Sequence, residues 1–193
     1  MVPMEIEILE EDGDVLEAEL TDANEVIANA LRRSMLIKVP TLAVKELEVR
    51  KNESALIDEI LANRIGQVPF TVPQNVDEDD TVHIALKQEG PGQVLAEDLK
   101  ADNAEAEPVN PEAILVDLKE GQGVDLEAEA VLGRGEEHAK HQGGTVGYEK
   151  EDEGTFTFRI ESTSGYSNEE LLEAGIESLK NELDDFEEAV AEI

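Results

Sequence analysis

The sequence predicts an α+β fold, in which strands and a few helices segregate rather than alternate. Three observations carry that prediction. Period-2 runs stand at both ends, at Met4 to Leu20 and Thr155 to Glu161. An amphipathic helix follows each of them, at Asp22 to Pro40 and after Ser167. Between the two lies a long stretch whose signals are short strands and turn residues.

At the N-terminal end, Ile6 and Ile8 alternate with glutamates, and Leu16, Ala18 and Leu20 alternate with acids beyond Asp12-Gly13. That pattern is a β-hairpin around a dipeptide suited to positive φ. In the next segment, Asp22 with Glu25 three places on forms a capping-box pattern. Ile27, Leu31 and Met35 recur every fourth residue, and Pro40 stops the helix. Leu42 to Val44 and Leu47 to Val49 read as strand, and Ser54 to Gly66 as a short helix with Leu56, Ile57, Ile60, Leu61 and Ile65 on one side. Thr71 to about Asn110 is rich in Pro, Gly, Asp and Glu and predicts loops and short edge strands, with one clean strand at Val82 to Leu86. Ile114 to Leu118 and Val124 to Leu132 predict a further pair of strands around Gly121-Gln122-Gly123. In the last segment, Ser167 with Glu170 caps a helix in which Leu172, Ile176, Leu179, Leu183, Phe186 and Val190 step by 4, 3, 4, 3 and 4. That narrow stripe is a coiled-coil-like seam rather than a broad globular face.

Composition narrows the function classes. The 193 residues, 40% of them hydrophobic, are enough to bury a sizeable core. There is no Cys, which excludes disulfides, thiolate zinc sites, iron–sulfur clusters and thiol nucleophiles. Aromatics are 3% with no Trp, too few for a base-stacking platform. No run approaches the roughly 18 apolar residues of a membrane span, and Met1-Val2-Pro3-Met4-Glu5 lacks a signal peptide's basic start and apolar core, so a cytoplasmic protein is expected.

Forty-eight acidic against 15 basic residues leave a net charge of −33, opposite in sign to what phosphate neutralisation needs, so no direct nucleic-acid contact is expected. Charge of this density fits a halophile, where molar salt shrinks the Debye length to about 3 Å. Residues 32 to 64 escape the acidity: seven basic side chains against five acidic ones leave this window at +2. A window spared the solvent-facing adaptation is a candidate for surface covered by another chain.

The run Asn29-Ala30-Leu31-Arg32-Arg33 followed by Val39-Pro40 resembles the signature helix of the alpha-like RNA polymerase subunits: bacterial alpha, the third-largest eukaryotic subunit and the archaeal D-type subunits. Asp58-Glu59-Ile60 through Arg64-Ile65-Gly66 to Val68-Pro69 resembles a second block of the archaeal branch, and Gly133 to Gly144, with His138-Ala139-Lys140, a third. Phe158 to Gly165 with the helix after it resembles the way the family's dimerisation domain closes. The resemblance implies a discontinuous alpha-like dimerisation domain, residues 1–41 and 146–193, into which a β-rich domain, 42–145, is inserted. Periodicity by itself does not join the two ends. The resemblance also implies a non-catalytic assembly platform of an archaeal DNA-directed RNA polymerase. It pairs with subunit L and docks small zinc-bearing subunits, while nucleotide transfer belongs to the large catalytic subunits. Only Gly147 to Gly154 stands where many relatives carry an iron–sulfur domain, so that domain and any cofactor are expected to be absent.

Candidate sites follow. Ile27, Leu31, Met35, Leu172, Ile176, Leu179, Leu183 and Phe186 are the expected dimer interface. Arg32 and Arg33 either lie along a core helix and pair with local acids, or hold a neighbouring subunit through their planar guanidinium forks; the resemblance favours contact with the large subunits. His138 and His141, three apart, lack a specific third metal ligand, and with Lys140 they are expected in loop hydrogen bonds or small-subunit docking. His83 is expected on a strand's outer face. The glycines of 133–144 are followed by no Gly-Lys-Ser/Thr, and no acidic pair sits in a catalytic motif, so no catalytic residue is assigned. The alternatives are a free-standing acidic homodimeric scaffold and a carboxylate hydrolase.

Overall fold

A computed structural model describes residues 4–191 of the chain; Met1 to Pro3, part of the leader argument above, lie outside them. The chain divides into two compact units, residues 1–40 with 134–193 and residues 41–133.

The outer unit is one sheet and two helices. Strands β1 (Glu5–Asp12), β2 (Val15–Thr21), β9 (Gly144–Asp152) and β10 (Thr155–Ser162) form an antiparallel sheet in the order β1-β2-β10-β9. The register sets Phe156 opposite Leu20, Phe158 opposite Ala18 and Ile160 opposite Leu16. All six are buried, because successive strand residues point to opposite faces and this face is covered. Helices α1 (Glu25–Ile37) and α3 (Asn168–Ala191) cover it, with Ala28, Leu31, Met35, Leu171 and Leu172 completing the core. The uncovered face is polar, with Arg159 paired to Glu17 at 3.0 Å.

The predicted hairpin and both terminal helices are present, with differences. The cap of α1 is Asn24, not Asp22: its Oδ1 accepts from Val26 N and Ile27 N, both at 3.0 Å. Asp22 sits at φ 56° in the turn before the helix, and Glu25 is held by Lys150 instead of reaching back. At Ser167 the reciprocal cap forms as predicted: Ser167 N donates to Glu170 Oε2 and Glu170 N to Ser167 Oγ. Strand β9 was not foreseen. Its alternation of Val146 and Tyr148 is short, and it joins β10 through a turn at Glu153-Gly154, where Gly154 has φ 94°.

The inner unit is β-rich. A sheet of order β3-β8-β4-β6 pairs β3 (Thr41–Asn52), β8 (Gly123–Gly133), β4 (Val82–Glu89) and β6 (Lys100–Ala101). A separate ribbon pairs β5 (Gly92–Leu95) with β7 (Ile114–Leu118). Both strands expected around Gly121-Gln122-Gly123 are present, but they pair with other strands: β7 with β5, and β8 between β3 and β4. The helix of this unit, α2 (Asp58–Gly66), starts four residues later than Ser54, because Asn52, Ser54 and Leu56 form a hydrogen-bonded turn first.

The return to the outer unit falls at Arg134 rather than at 146. The reason is local. Arg134 Nε donates to Lys38 O at 3.1 Å, Glu136 N to Ile37 O and Gly143 N to Leu36 O, so the Gly-rich loop satisfies carbonyls at the end of α1.

Candidate assembly surface

The two halves of α3 are placed differently. Over Asn168 to Gly175 the helix lies on the sheet and against α1: Leu171 is 0% and Leu172 4% exposed. At Gly175 the helices meet backbone to backbone. A Cβ there would stand 2.4 Å from Met35 Cγ and 3.3 Å from Met35 Cα, and Ser34 Oγ donates to Gly175 O at 2.6 Å. One step on, Lys38 at the C-cap of α1 holds Glu182 of α3 at 2.6 Å and Glu136 of the loop at 3.0 Å. The hydrogen bond that Lys38 donates to Glu182, then that to Glu136, lifts its ammonium above the ordinary lysine range. Beyond this tie α3 is exposed throughout, yet its stripe continues with Leu183 55%, Phe186 66% and Val190 51% exposed.

The expected interface residues thus divide into two sets. Leu31, Met35 and Leu172 are packed in the unit's own core, which removes them from any contact with another chain. Ile27 and Leu179 are half-buried against the same core, while Ile176, Leu183 and Phe186 are open. Periodicity could not separate the sets, because a buried face and a vacant seam carry the same residues. Val190 belongs with the open set, as its place in the 4-3-4 step already signalled.

The sheet also has an apolar edge that the sequence did not identify. Ile6 and Ile8 face Leu20 and Ala18 across the β1–β2 pair and so point to the core side, yet they stay 37% and 43% exposed. The alternation placed them in a strand but carried no sign that the strand was at the edge.

Arg32 is half-buried, and its Nε and Nη2 donate to Asn29 Oδ1 at 3.3 and 3.2 Å; Arg33 is exposed. Among the described residues neither pairs with a carboxylate, in a chain with 48 of them. Of the two alternatives, pairing with local acids is not seen at either residue: Arg32 is held by Asn29, and Arg33 is exposed.

The loop residues behave less uniformly than expected. His141 is 3% exposed, which takes it out of any docking surface, whereas His138 is exposed and its Nδ1 accepts from Lys140 N at 3.1 Å. Lys140 is half-buried. The glycines are packing residues. A Cβ on Gly135, Gly143 or Gly144 would come within 2.7, 2.4 and 2.4 Å of the Leu36, Met35 and Glu161 carbonyl oxygens, so backbone lies where a side chain would be.

In the inner unit, Leu61 and Ile65 of α2 are buried, but Ile57 and Ile60 are 64% and 48% exposed, against the expectation of one shared face. The helix has turned its second apolar edge outward, beside Ile114, whose carbonyl accepts from Arg64 Nη2 at 2.6 Å. His83 is exposed on the outer face of β4, as predicted. It lines an open hollow of about 540 Å³ with Glu46, Glu48, Asp102 and Glu129. Among the described residues no three His, Asp or Glu side chains gather closely enough to hold a metal ion, and no helix is long and apolar enough to cross a membrane.

Fold and surfaces define a class: an α+β protein whose helix-on-sheet unit is interrupted by a β-rich unit, with apolar and cationic surface left uncovered. Residues 36–157 match the RNA polymerase Rpb3/RpoA insert domain family. The chain is 44% identical over 155 residues to the DNA-directed RNA polymerase subunit Rpo3 of Pyrococcus furiosus, covering 77% of this chain and 59% of that one. The Rpo3 of Natronomonas pharaonis is 44% identical over 122 residues, with 63% and 49% covered. The Rpo3 of Methanocaldococcus jannaschii is 35% identical over 159 residues, with 82% of both chains covered. The chain belongs to the Rpb3/RpoA family of alpha-like RNA polymerase subunits that includes Rpo3. It spans 59% and 49% of the length of the first two relatives.

Proposed function

We propose that this chain is a non-catalytic assembly-platform subunit of an archaeal DNA-directed RNA polymerase, working in the cytoplasm without a cofactor of its own. The observation that carries the proposal is the vacant seam of α3. Ile176, Leu183, Phe186 and Val190 form an apolar stripe that the chain leaves open, with Leu179 half-buried beside them. A stripe of this spacing takes another helix, and the resemblance supplies the candidate, subunit L. Arg32 and Arg33, without carboxylate partners, are the surface offered to the large catalytic subunits, whose residues carry out nucleotide transfer. The small zinc-bearing subunits dock at His138 and Lys140 and at the isoleucines of α2. The net charge of −33 is a halophile's adaptation, which keeps the free surface hydrated in molar salt.

Co-expression with a candidate subunit L, purification in molar salt and mass determination by light scattering test the reading. The expected result is a stable one-to-one complex that Leu183→Glu or Phe186→Glu abolishes while the chain stays folded. A chain that ignores L, or a complex indifferent to both substitutions, would overturn it.

A further inference from the structure

We infer that Lys38 is a positioning residue: held between Glu136 and Glu182, it fixes the direction in which α3 leaves the sheet, and so sets how tightly the seam takes subunit L. It acts through α3 rather than by contact with L. The inference rests on the reading of the seam as the site for L and goes beyond it in naming what aims that site.

Beyond Leu179, half-buried against the core, every described residue of α3 is exposed. Among the described residues, none of α3 past Glu182 bonds to the rest of the chain. Charge opposes even this approach. From Ile176 to Ala191, six acidic side chains against Lys180 leave a charge of −5, in a chain whose net charge is −33. Lys38 is the cation at the point of exit, and at the C-cap of α1 the helix dipole also favours positive charge.

The ammonium is set in place before it meets α3. Lys38 N donates to Ser34 O at 2.9 Å, and Lys38 O accepts from Arg134 Nε at 3.1 Å. Glu136 is anchored as well, its N–H donating to Ile37 O at 3.3 Å while its carboxylate takes the Lys38 ammonium at 3.0 Å. An ordinary surface pair loses much of its attraction to the ordering of two long side chains. Here the ordering of the lysine is already done when Glu182 arrives at 2.6 Å. The Lys38 side chain is 27% exposed, so salt screens the tie less than it screens a free surface pair.

The consequence is leverage. Leu179 to Ala191 spans about 18 Å of helix, so a tilt of about 10° at Leu179 moves the helix end by about 3 Å. A facing helix sets its side chains into holes along the seam, and a seam that points elsewhere must first be brought back. Affinity then falls by the fraction of molecules whose helix already points the right way. The tie keeps that fraction high.

Spin labels test this without interference, because the chain has no Cys of its own. Labels at Glu188→Cys, on the side of α3 away from the seam, and at Glu149→Cys, on the uncovered face of the outer sheet, report the direction of the helix by double electron–electron resonance. In the labelled chain without L, Lys38→Met is expected to widen the distance distribution by about 3 Å. In the unlabelled chain it is expected to weaken binding of L about ten-fold. Lys38→Arg, whose guanidinium can serve both carboxylates, is expected to keep the parent's distances and, within about two-fold, its affinity. Glu136→Gln, which leaves Lys38 with Glu182 alone, is expected to act in the same direction by about three-fold, and carries the test if circular dichroism shows Lys38→Met unfolded. Asn24→Ala, which loosens the other end of α1, lowers stability but is expected to move neither distances nor affinity. Unchanged distances in Lys38→Met overturn the positioning role, and changed distances with unchanged affinity overturn its bearing on docking. A parent chain that ignores L overturns the proposed function, while the distances, measured without L, still decide whether Lys38 aims the helix.

Discussion

From Asn168 to Gly175 and from Ile176 to Ala191, α3 carries one uninterrupted apolar step, yet the first half is buried on its own sheet and the second half is bare. Amphipathic spacing fixes which side of a helix avoids water; it does not say whose atoms will cover that side. The switch between the two fates falls at the Gly175 crossing and the Lys38–Glu182 tie, after which every described residue of the helix is exposed.

Substitutions at matched positions of the two halves sharpen this contrast. Both tyrosines, Tyr148 and Tyr166, lie in the outer unit, so tyrosine fluorescence during denaturant unfolding reports on that unit alone. The largest effect is expected from Leu172→Ala, about 3 kcal/mol of lost stability, because a 4% exposed leucine leaves a cavity. Gly175→Val is next, about 2 kcal/mol, since its side chain would have to displace Met35 at the helix crossing. Asn24→Ala, which removes two hydrogen bonds from the first turn of α1, is expected to lose about 1 kcal/mol. Leu183→Ala, on the bare half, should change stability by less than about 0.5 kcal/mol and act on association instead. A Leu183→Ala variant as unstable as Leu172→Ala would mean that the second half is covered by its own chain after all.

The tie between the halves has a pH signature. Lys38 is raised above the ordinary lysine range by Glu182 and then Glu136. The folded state thus holds this proton more tightly than the unfolded one, so the contribution is complete below the unfolded pKa and disappears as pH rises through the folded one. Tyr166, raised by burial and then by Glu170, has the same sign. Stability of the outer unit should therefore fall on the alkaline side above about pH 10. Lys38→Met should make that fall shallower in urea titrations followed at several pH values.

Much of this was legible in the residues. The hairpin, both long helices, the Ser167 cap and the exposed His83 follow from local rules of capping and alternation, which depend on near neighbours only. The failures are tertiary. Asp22 and Asn24 are equally good caps by type, and only the φ of 56° at Asp22, imposed by the turn out of β2, decides between them. The partners of β7, the outward turn of Ile57 and Ile60, and the return of the chain at Arg134 all depend on which distant segment arrives beside them. His141 shows the same limit within one loop, being buried three residues from an exposed histidine.

The Gly-rich loop also bears on the order of events during synthesis. The carbonyls at the end of α1 wait for Arg134, Glu136 and Gly143, and β2 waits for β10, so residues 4–40 emerge from the ribosome with neither helix end nor sheet completed. The inner unit is continuous in the chain and can close first, as domains generally do when made in sequence. The outer unit, whose two segments flank the insert in the chain, can close only after its second segment has been made, and the α3 seam becomes available later than the insert that precedes it.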